Sequence, residues 1–237
     1  TGLHFSTDYG LPFLVPDSIS RLEALNYLHI YGFGLKLWPD WIGNLTNLEY
    51  LNLSRNKIKV IPENIKKLTS LKILNLHENQ LMALPESIGD LKSLEELDFS
   101  SNHENKLRSL PESIGGLESL KKLDLRGNLL ETLPKSIGNL KSLRELDLSS
   151  NRLIDLPESI ANLKNLKILD LAYNKKDLKL DSILGLKQLE DLNLTQNHFG
   201  SIPGVLNELS NLKKLNLTTN DISEIKNLDN LKKLDYH

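Results

Sequence analysis

The amino-acid sequence repeats itself every 23 residues over most of its length, and this periodicity restricts the fold more than any other feature. The clearest copies are LKILNLHENQLMALPESIGDLKS (71–93), LKKLDLRGNLLETLPKSIGNLKS (120–142) and LRELDLSSNRLIDLPESIANLKN (143–165). They share the template L-x-x-L-x-L-x-x-N-x-L-x-x-L-P-x-x-I-x-x-L-x-x, whose places are numbered 1 to 23 below. Copies begin at Leu25, Leu48, Leu71, Leu94, Leu120, Leu143, Leu166, Leu189 and Leu212. One 23-mer cannot bury its own leucines, whereas stacked copies can, so the repeat predicts a solenoid.

Each copy contains signals for one short strand and one short helix. The L-x-L alternation is typical of a strand with one buried face. Proline at position 15 favours the first turn of a helix. We therefore expect residues 1–237 to form a single α/β solenoid with a parallel sheet on its concave face. Residues 1–24 would be a degenerate first repeat, 25–233 nine repeats, and 234–237 the start of a truncated one.

An asparagine occupies position 9 at the end of the predicted strand in every copy from Leu48 onward. A side-chain amide both donates and accepts hydrogen bonds, which a carboxylate does not. We expect this structural ladder to join the turn backbones of adjacent coils. Its members are Asn56, Asn79, Asn102, Asn128, Asn151, Asn174, Asn197 and Asn220.

The template and its nine registered copies resemble the leucine-rich repeat family, in its typical 23-residue class, and the resemblance covers essentially the whole chain. The resemblance implies a curved right-handed superhelix with short helices or turns on the convex face. It also implies a protein-binding scaffold.

Three departures from the template carry expectations of their own. Three extra residues follow Asn102 within NHENKL, which we interpret as a loop insertion. The repeat from Leu166 has LKLDSIL in place of the Leu-Pro step, so we expect its convex side to be irregular. The chain stops at His237, inside the next strand. An apolar end without a polar cap is a liability, so we expect a piece of a longer protein or a dimeric end.

Composition excludes several classes of function. The 29 Lys and Arg nearly balance the 31 Asp and Glu, which argues against nucleic-acid binding. No apolar run approaches the length of a membrane-spanning helix. The sequence contains no cysteine and no catalytic motif of the HExxH, GxGxxG or GxSxG type, so we expect no cofactor, no metal and no enzyme activity. Cytoplasmic and secreted bacterial locations both stay open, and the lack of cysteine with many Lys and Asn favours a bacterial source.

Large aromatic side chains crowd the N-terminal end, where nine of the 13 lie at or before Tyr50. The template places Trp38 in the core and Trp41 on the convex side, whereas Phe33 replaces the ladder asparagine and is expected to belong to the N-terminal cap. Other rings take outward strand positions and predict a protein-binding patch. This candidate patch consists of Tyr27, His29, Tyr31, Tyr50, Ile73 and His77. The alternative is that an N-terminal segment with Phe5, Tyr9 and Phe13 folds over the rings as a cap.

A column of carboxylates occupies position 5 of four consecutive repeats, with neighbours about 4.8 Å apart in a parallel sheet. Such a ladder could bind a cation or act as acid and base, but Lys122 and Arg126 on the same face favour a polar contact strip. We predict a secondary binding strip of Asp98, Asp124, Arg126, Asp147, Asp170 and Tyr173. A weaker second patch would include Ile168, Tyr173 and His198.

The sequence thus predicts a non-catalytic scaffold that binds a protein on its concave face. Two other classes stay open. One is the targeting or substrate-recognition module of a larger enzyme or effector. The other is a secreted receptor for a glycan or small ligand.

Overall fold

A computed structural model describes residues 1–7, 17–100, 107–176 and 178–224. Ten strands form one parallel sheet in which each strand pairs with the next along the chain. The strands are β1 (Gly2–Ser6), β2 (Tyr27–Tyr31), β3 (Tyr50–Asn52), β4 (Ile73–Asn75), β5 (Glu96–Asp98), β6 (Lys122–Asp124), β7 (Glu145–Asp147), β8 (Ile168–Asp170), β9 (Asp191–Asn193) and β10 (Lys214–Asn216). Consecutive pairing along the whole sheet confirms the predicted solenoid.

Short 3₁₀ helices form the opposite face of the solenoid. They are η1 (Asp17–Arg21), η2 (Asp40–Asn44), η3 (Glu63–Lys67), η4 (Glu86–Asp90), η5 (Glu112–Gly116), η6 (Lys135–Asn139), η7 (Glu158–Asn162), η8 (Asp181–Gly185) and η9 (Gly204–Glu208). A 3₁₀ helix suits a stretch of only five residues, for which an α-helix would be barely more than one turn.

The strand register places one leucine per coil in a single buried column. Leu28 pairs with Leu51, and Leu51 with Leu74, while the residues on either side of each leucine face outward. These three leucines have no exposed surface. Burial of such side chains contributes about 1.5–3 kcal/mol each before entropic costs, so stacking is the main source of stability.

The asparagines at position 9 join adjacent coils. Asn79 Nδ2 donates to the Leu53 carbonyl of the preceding coil (2.9 Å) and to Leu76 of its own coil (3.0 Å), and Oδ1 accepts from Ile58 N–H (3.1 Å). Each of the other described members donates in the same way to its own and the preceding coil: Asn56, Asn128, Asn151, Asn174, Asn197 and Asn220. Asn102 and the insertion after it lie outside the described residues.

The turn before each of these asparagines needs a left-handed backbone at position 8. Gly32 and Gly127 adopt it with φ of 79° and 73°. Arg55, Glu78 and Tyr173 adopt it as well, with φ of 53°, 52° and 57°. Non-glycine residues pay for this conformation with local strain. The turn therefore fixes the direction in which these three side chains leave the concave face.

The convex side of the repeat from Leu166 is regular, so the expectation of irregularity is wrong. Its helix η8 has five residues, as its neighbours do. Leu180 replaces the proline and enters the helix at φ −118° and ψ 4°. Ile183 and Leu186 still fill the core positions of the template and are buried. Core burial is therefore sufficient to form the helix without the proline.

The two tryptophans of the first full coil lie where the template places them. Trp38 and Trp41 are 5% and 7% exposed, and Trp41 belongs to the convex helix η2. Phe33 is partly buried and packs against the core. The two indole rings therefore support the fold.

Candidate binding surface

Two tyrosines stack on the concave face at position 3 of adjacent coils. The ring centroids of Tyr27 and Tyr50 are 4.3 Å apart and their planes differ by 6°. Asn52 Nδ2 donates to the Tyr50 hydroxyl at 3.3 Å. Burial, followed by the neighbouring Tyr50, raises the pKa of the Tyr27 phenol. Ile73 continues the column on β4, which gives a flat, ordered and partly apolar surface.

Two histidines stack beside these tyrosines at position 5. The ring centroids of His4 and His29 are 4.0 Å apart, and the His29 ring lies 5.8 Å from that of Tyr31. Burial, and then the charge of His4, lower the pKa of His29. Among the described residues, no group hydrogen bonds to His29 Nδ1. The His29 ring is therefore held neutral in this face.

An ion-pair chain connects Tyr31 to His77. The Arg55 guanidinium lies 5.5 Å from the Tyr31 ring centroid, within the range of a cation–π contact. Arg55 Nε contacts Glu78 Oε2 at 2.7 Å, and His77 Nε2 lies 3.2 Å from Glu78 Oε1. The left-handed turn at position 8 places Arg55 and Glu78 here, which the strand pattern alone did not predict.

A serine, a histidine and an acid meet at the other end of this chain, but they do not form a nucleophilic site. His77 Nδ1 lies 2.7 Å from Ser100 Oγ. Ser100 is 1% exposed, and its hydroxyl donates to Asp98 Oδ1 at 2.6 Å. Because the Ser100 hydroxyl is buried and its proton is already in a hydrogen bond to the carboxylate, the histidine cannot take this proton to make the serine a nucleophile. The contacts instead fix the His77 ring at the surface.

The described part of the N-terminal segment lies beside the aromatic patch. Strand β1 pairs with β2, with Phe5 opposite the core residue Ile30 and His4 opposite His29. Residues 1–7 thus extend the sheet by one strand. Tyr9 and Phe13, which the cap hypothesis requires, lie outside the described residues.

The carboxylates at position 5 accept hydrogen bonds from their own strand ends. Asp98 Oδ1 and Asp147 Oδ1 each accept a backbone N–H and a serine hydroxyl two residues later. Asp124 Oδ1 accepts only the Arg126 N–H, at 3.0 Å. This local turn explains why the position contains Asp or Asn in most repeats.

Burial raises the pKa of Asp124 to about 6, and the neighbouring charges of Asp147 and Asp98 contribute to the rise. Burial also raises the pKa of Asp170. The Arg126 guanidinium lies 3.7 Å from Asp124 Oδ2 and offsets part of this effect. Asp124 is therefore the carboxylate of this column that most readily takes up a proton as the pH falls below neutral.

The second predicted patch is divided between two parts of the surface. Ile168 and Asp170 line a shallow groove of about 480 Å³ on the concave face, together with Lys214. Tyr173 lies on the turn after the strand and is 51% exposed. His198 Nδ1 lies 3.4 Å from Asp221 Oδ2. Ile168 thus faces the groove, whereas Tyr173 belongs to the rim of the sheet.

The described residues contain no group of three or more His, Asp or Glu side chains that could hold a metal ion. No helix among them is long and apolar enough to cross a lipid bilayer.

Comparison with protein families identifies the repeat. The family described as "Leucine-rich repeat region" matches residues 14–106 and 135–237, and that described as "Leucine rich repeat" matches 103–153. The chain belongs to the leucine-rich repeat family. None of the curated protein sequences compared with it matches significantly.

Solved structures with the same fold come from a bacterium and from plants. A leucine-rich repeat protein of Leptospira interrogans is 29% identical over 94% of this chain and 80% of its own, with a TM-score of 0.55. The ectodomain of the Arabidopsis thaliana membrane receptor kinase GASSHO1/SCHENGEN3, in complex with CASPARIAN STRIP INTEGRITY FACTOR 2, is 28% identical with a TM-score of 0.68. The plant peptide hormone receptor RGFR1, in complex with RGF2, is 29% identical with a TM-score of 0.70. This leucine-rich repeat chain is covered to 93% in both plant comparisons but spans only 33% and 40% of those chains.

Proposed function

We propose that this leucine-rich repeat protein is a non-catalytic recognition scaffold that binds a protein partner on its concave face. The anchor is the N-terminal patch of Tyr27, His29, Tyr31, Tyr50, Ile73 and His77. The observation that carries the proposal is the stack of Tyr27 on Tyr50, continued by the tethered rings of Tyr31 and His77. Rings that are already ordered lose little entropy when a partner covers them.

The similar plant structures support a polypeptide as the ligand. Two of them are receptors in complex with CASPARIAN STRIP INTEGRITY FACTOR 2 and with RGF2. The carboxylates of Asp98, Asp124, Asp147 and Asp170 continue from the aromatic patch along the same face. A partner long enough to reach them would gain from basic side chains there.

The test removes the tyrosine stack and measures capture of a partner. Tagged wild type and a Tyr27→Ala/Tyr50→Ala variant are used for pull-down from cells that produce the protein. We expect the variant to capture at least about tenfold less partner than the wild type. Truncating clustered aromatic anchors typically weakens the free energy of binding by roughly 2 kcal/mol or more. Circular dichroism melts establish that the variant is folded.

A matched control replaces an exposed residue on the convex face, Glu86→Ala, which should retain the partner. Equal capture by the tyrosine variant and the wild type would disprove the aromatic anchor. Loss of capture on changing Asp98 and Asp124, with none on changing the tyrosines, would move the site to the secondary binding strip.

A further inference from the structure

A second apolar surface lies outside the concave face, on the segments that lead from the strands to the convex helices. Leu37, Val60 and Met82 lie on three consecutive coils and are 80%, 69% and 67% exposed. They are the most exposed large hydrophobic residues of the described part of the chain. We call these three residues the lateral strip.

The core does not require apolar residues at these places. In the second coil Ile58 and Ile61, at positions 11 and 14, are buried, while Val60 between them points to solvent. Later coils carry the exposed polar pairs Arg108–Ser109 and Glu131–Thr132 at positions 12 and 13. Later coils expose one apolar residue at these positions, Ile154 at 51%, whereas the first three coils expose one each on consecutive coils. Contiguous exposed apolar residues rimmed by polar ones are typical of interaction sites.

The residues that precede the lateral strip along the chain are basic, whereas the exposed carboxylates of Asp40, Glu63 and Glu86 follow it by three or four residues. Lys36, Lys57 and Lys59 are exposed and lie within two or three residues of the strip along the chain. No ion pair of the described residues involves these three lysines. Positions 10 to 13 of the first three coils contain no Asp or Glu, although the whole chain has a net charge of −2. The side of the strip formed by these lysines is thus electrostatically complementary to acidic side chains of a partner.

The spacing of the coils favours a helical partner. Lys57 N–H donates to the Leu35 carbonyl at 2.7 Å and Gln80 N–H donates to Ile58 at 2.9 Å, so adjacent coils are in backbone contact beside the strip. Their separation is then about 5 Å, as in a sheet. An α-helix presents one apolar side chain per turn of about 5.4 Å. A strand presents one side chain per face every 6.8 Å or so and would lose register over three coils.

From these observations we infer that the lateral strip is a docking site for an acidic amphipathic helix of another protein. Its apolar residues at i, i+3 or i+4, and i+7 pack on Met82, Val60 and Leu37. Its flanking Asp or Glu residues pair with Lys36, Lys57 and Lys59. This site is separate from the proposed concave site and does not depend on it.

The test is photo-crosslinking in cells that produce the full chain. The photoreactive amino acid p-benzoylphenylalanine replaces Val60 in one variant and Thr132, the same position of a later coil, in the control. Mass spectrometry then identifies the segment attached. We expect an adduct at position 60 only, on a segment with the acidic helical pattern described above. Lys36→Glu/Lys59→Glu in the same chain should lower its yield about tenfold, which corresponds to 1.4 kcal/mol. The charge reversal Lys135→Glu, on the convex helix of a later coil, should leave it unchanged.

Several results would overturn the inference. The first two are the absence of any adduct and equal yields of adduct at positions 60 and 132. The other two are an adduct on a basic or extended segment and an adduct on a second copy of this chain. Binding of the purified protein to phosphatidylserine vesicles that is lost in Leu37→Ser/Val60→Ser, in the absence of a protein adduct, would assign the strip to membranes instead. An anisotropy titration with the captured segment as a synthetic peptide completes the test. A version with Gln and Asn for Glu and Asp should bind at least about tenfold more weakly.

Discussion

At the residue scale, position 5 of the repeat combines a structural task with an electrostatic cost. Either Asp or Asn can accept the backbone N–H two residues later, as Asp147 and Asn193 both do. Only Asp brings a charge, and four consecutive aspartates place those charges in one column. Asp124 accepts no hydroxyl, because Arg126 stands where its neighbours have a serine. Its charged form is therefore the least supported by local hydrogen bonds.

We predict that Asp124→Asn raises the free energy of unfolding by about 1–3 kcal/mol at pH 7, since each unit of pKa shift corresponds to about 1.4 kcal/mol. The folded pKa of about 6 lies above the ordinary value of 3.8. The folded state therefore binds more protons than the unfolded state between these values, and ionisation destabilises the fold as pH rises through this window. The gain should be small near pH 4 and level off above pH 7. Urea unfolding at several pH values measures it.

Asp147→Asn is the control, because Ser149 donates two hydrogen bonds to this carboxylate and stabilises its charge. Asp147→Asn should therefore raise the free energy of unfolding clearly less than Asp124→Asn does. A gain for Asp124→Asn that does not change with pH would contradict the electrostatic explanation.

At the element scale, the convex helices pack through small residues. The helices from η4 to η8 approach one another more closely than those at either end. A Cβ on Gly89 would lie 2.2 Å from the Ser113 carbonyl oxygen of the next coil. Gly204, the first residue of η9, has no atom within 4 Å of the place that a Cβ would take. Glycine therefore has a packing role in one helix and none in the other.

We predict that Gly89→Ala lowers the free energy of unfolding by about 1–3 kcal/mol, because the next coil must shift to remove the overlap. Gly204→Ala should be neutral or stabilise by up to about 1 kcal/mol, since it only reduces the freedom of the unfolded chain. Chemical denaturation of both variants checks the difference. Equal effects would mean that the two helices pack alike.

Strand β1 is the edge of the sheet, and the His4–His29 stack lies where it joins β2. The pKa of His29 is lowered, so the unfolded state binds the proton more readily. Stability from this group is complete above the unfolded value of about 6.5 and decreases as pH falls below it. We predict that amide protection of Gly2–Ser6, measured by hydrogen exchange and corrected for the intrinsic rate, decreases between pH 7.5 and 5.5.

His29→Asn is the matched variant, because Asn52 and Asn75 occupy this position in the next two coils. It should remove most of the pH dependence. Protection of β1 that varies equally in both proteins would assign the effect to other groups.

Individual residues differ in how far the sequence could predict their surroundings. The template predicted that Trp38 is buried and that Tyr27, Tyr50 and Ile73 share a column, because strand register follows from the leucines. It did not predict the contact of Arg55 with Tyr31. That contact depends on the left-handed turn at Arg55. The alternation of side chains along a strand does not predict the direction of a side chain in such a turn. The lateral strip was missed for a related reason, since positions 12 and 13 belong to neither the strand nor the helix pattern.

At the scale of the whole molecule, the described strands and helices contact only those of the adjacent coils. Stability is then a sum of coil and interface terms, and a local change is felt mainly nearby. We predict that Leu192→Ala, which leaves a cavity at a site with no exposed surface, costs about 2–5 kcal/mol locally. Hydrogen exchange should increase in β8 to β10 much more than in β2 and β3. A uniform increase along the chain would show that the solenoid opens as one unit.

Both tryptophans of the chain, Trp38 and Trp41, lie in the first full coil and are buried. Indole fluorescence therefore reports on one end of the solenoid, while far-ultraviolet dichroism reports on all of it. The protein thus contains an intrinsic optical probe of its N-terminal end, beside the aromatic patch and the lateral strip. A ligand at either surface should change this emission without any added label, and a ligand at the far end should leave it constant.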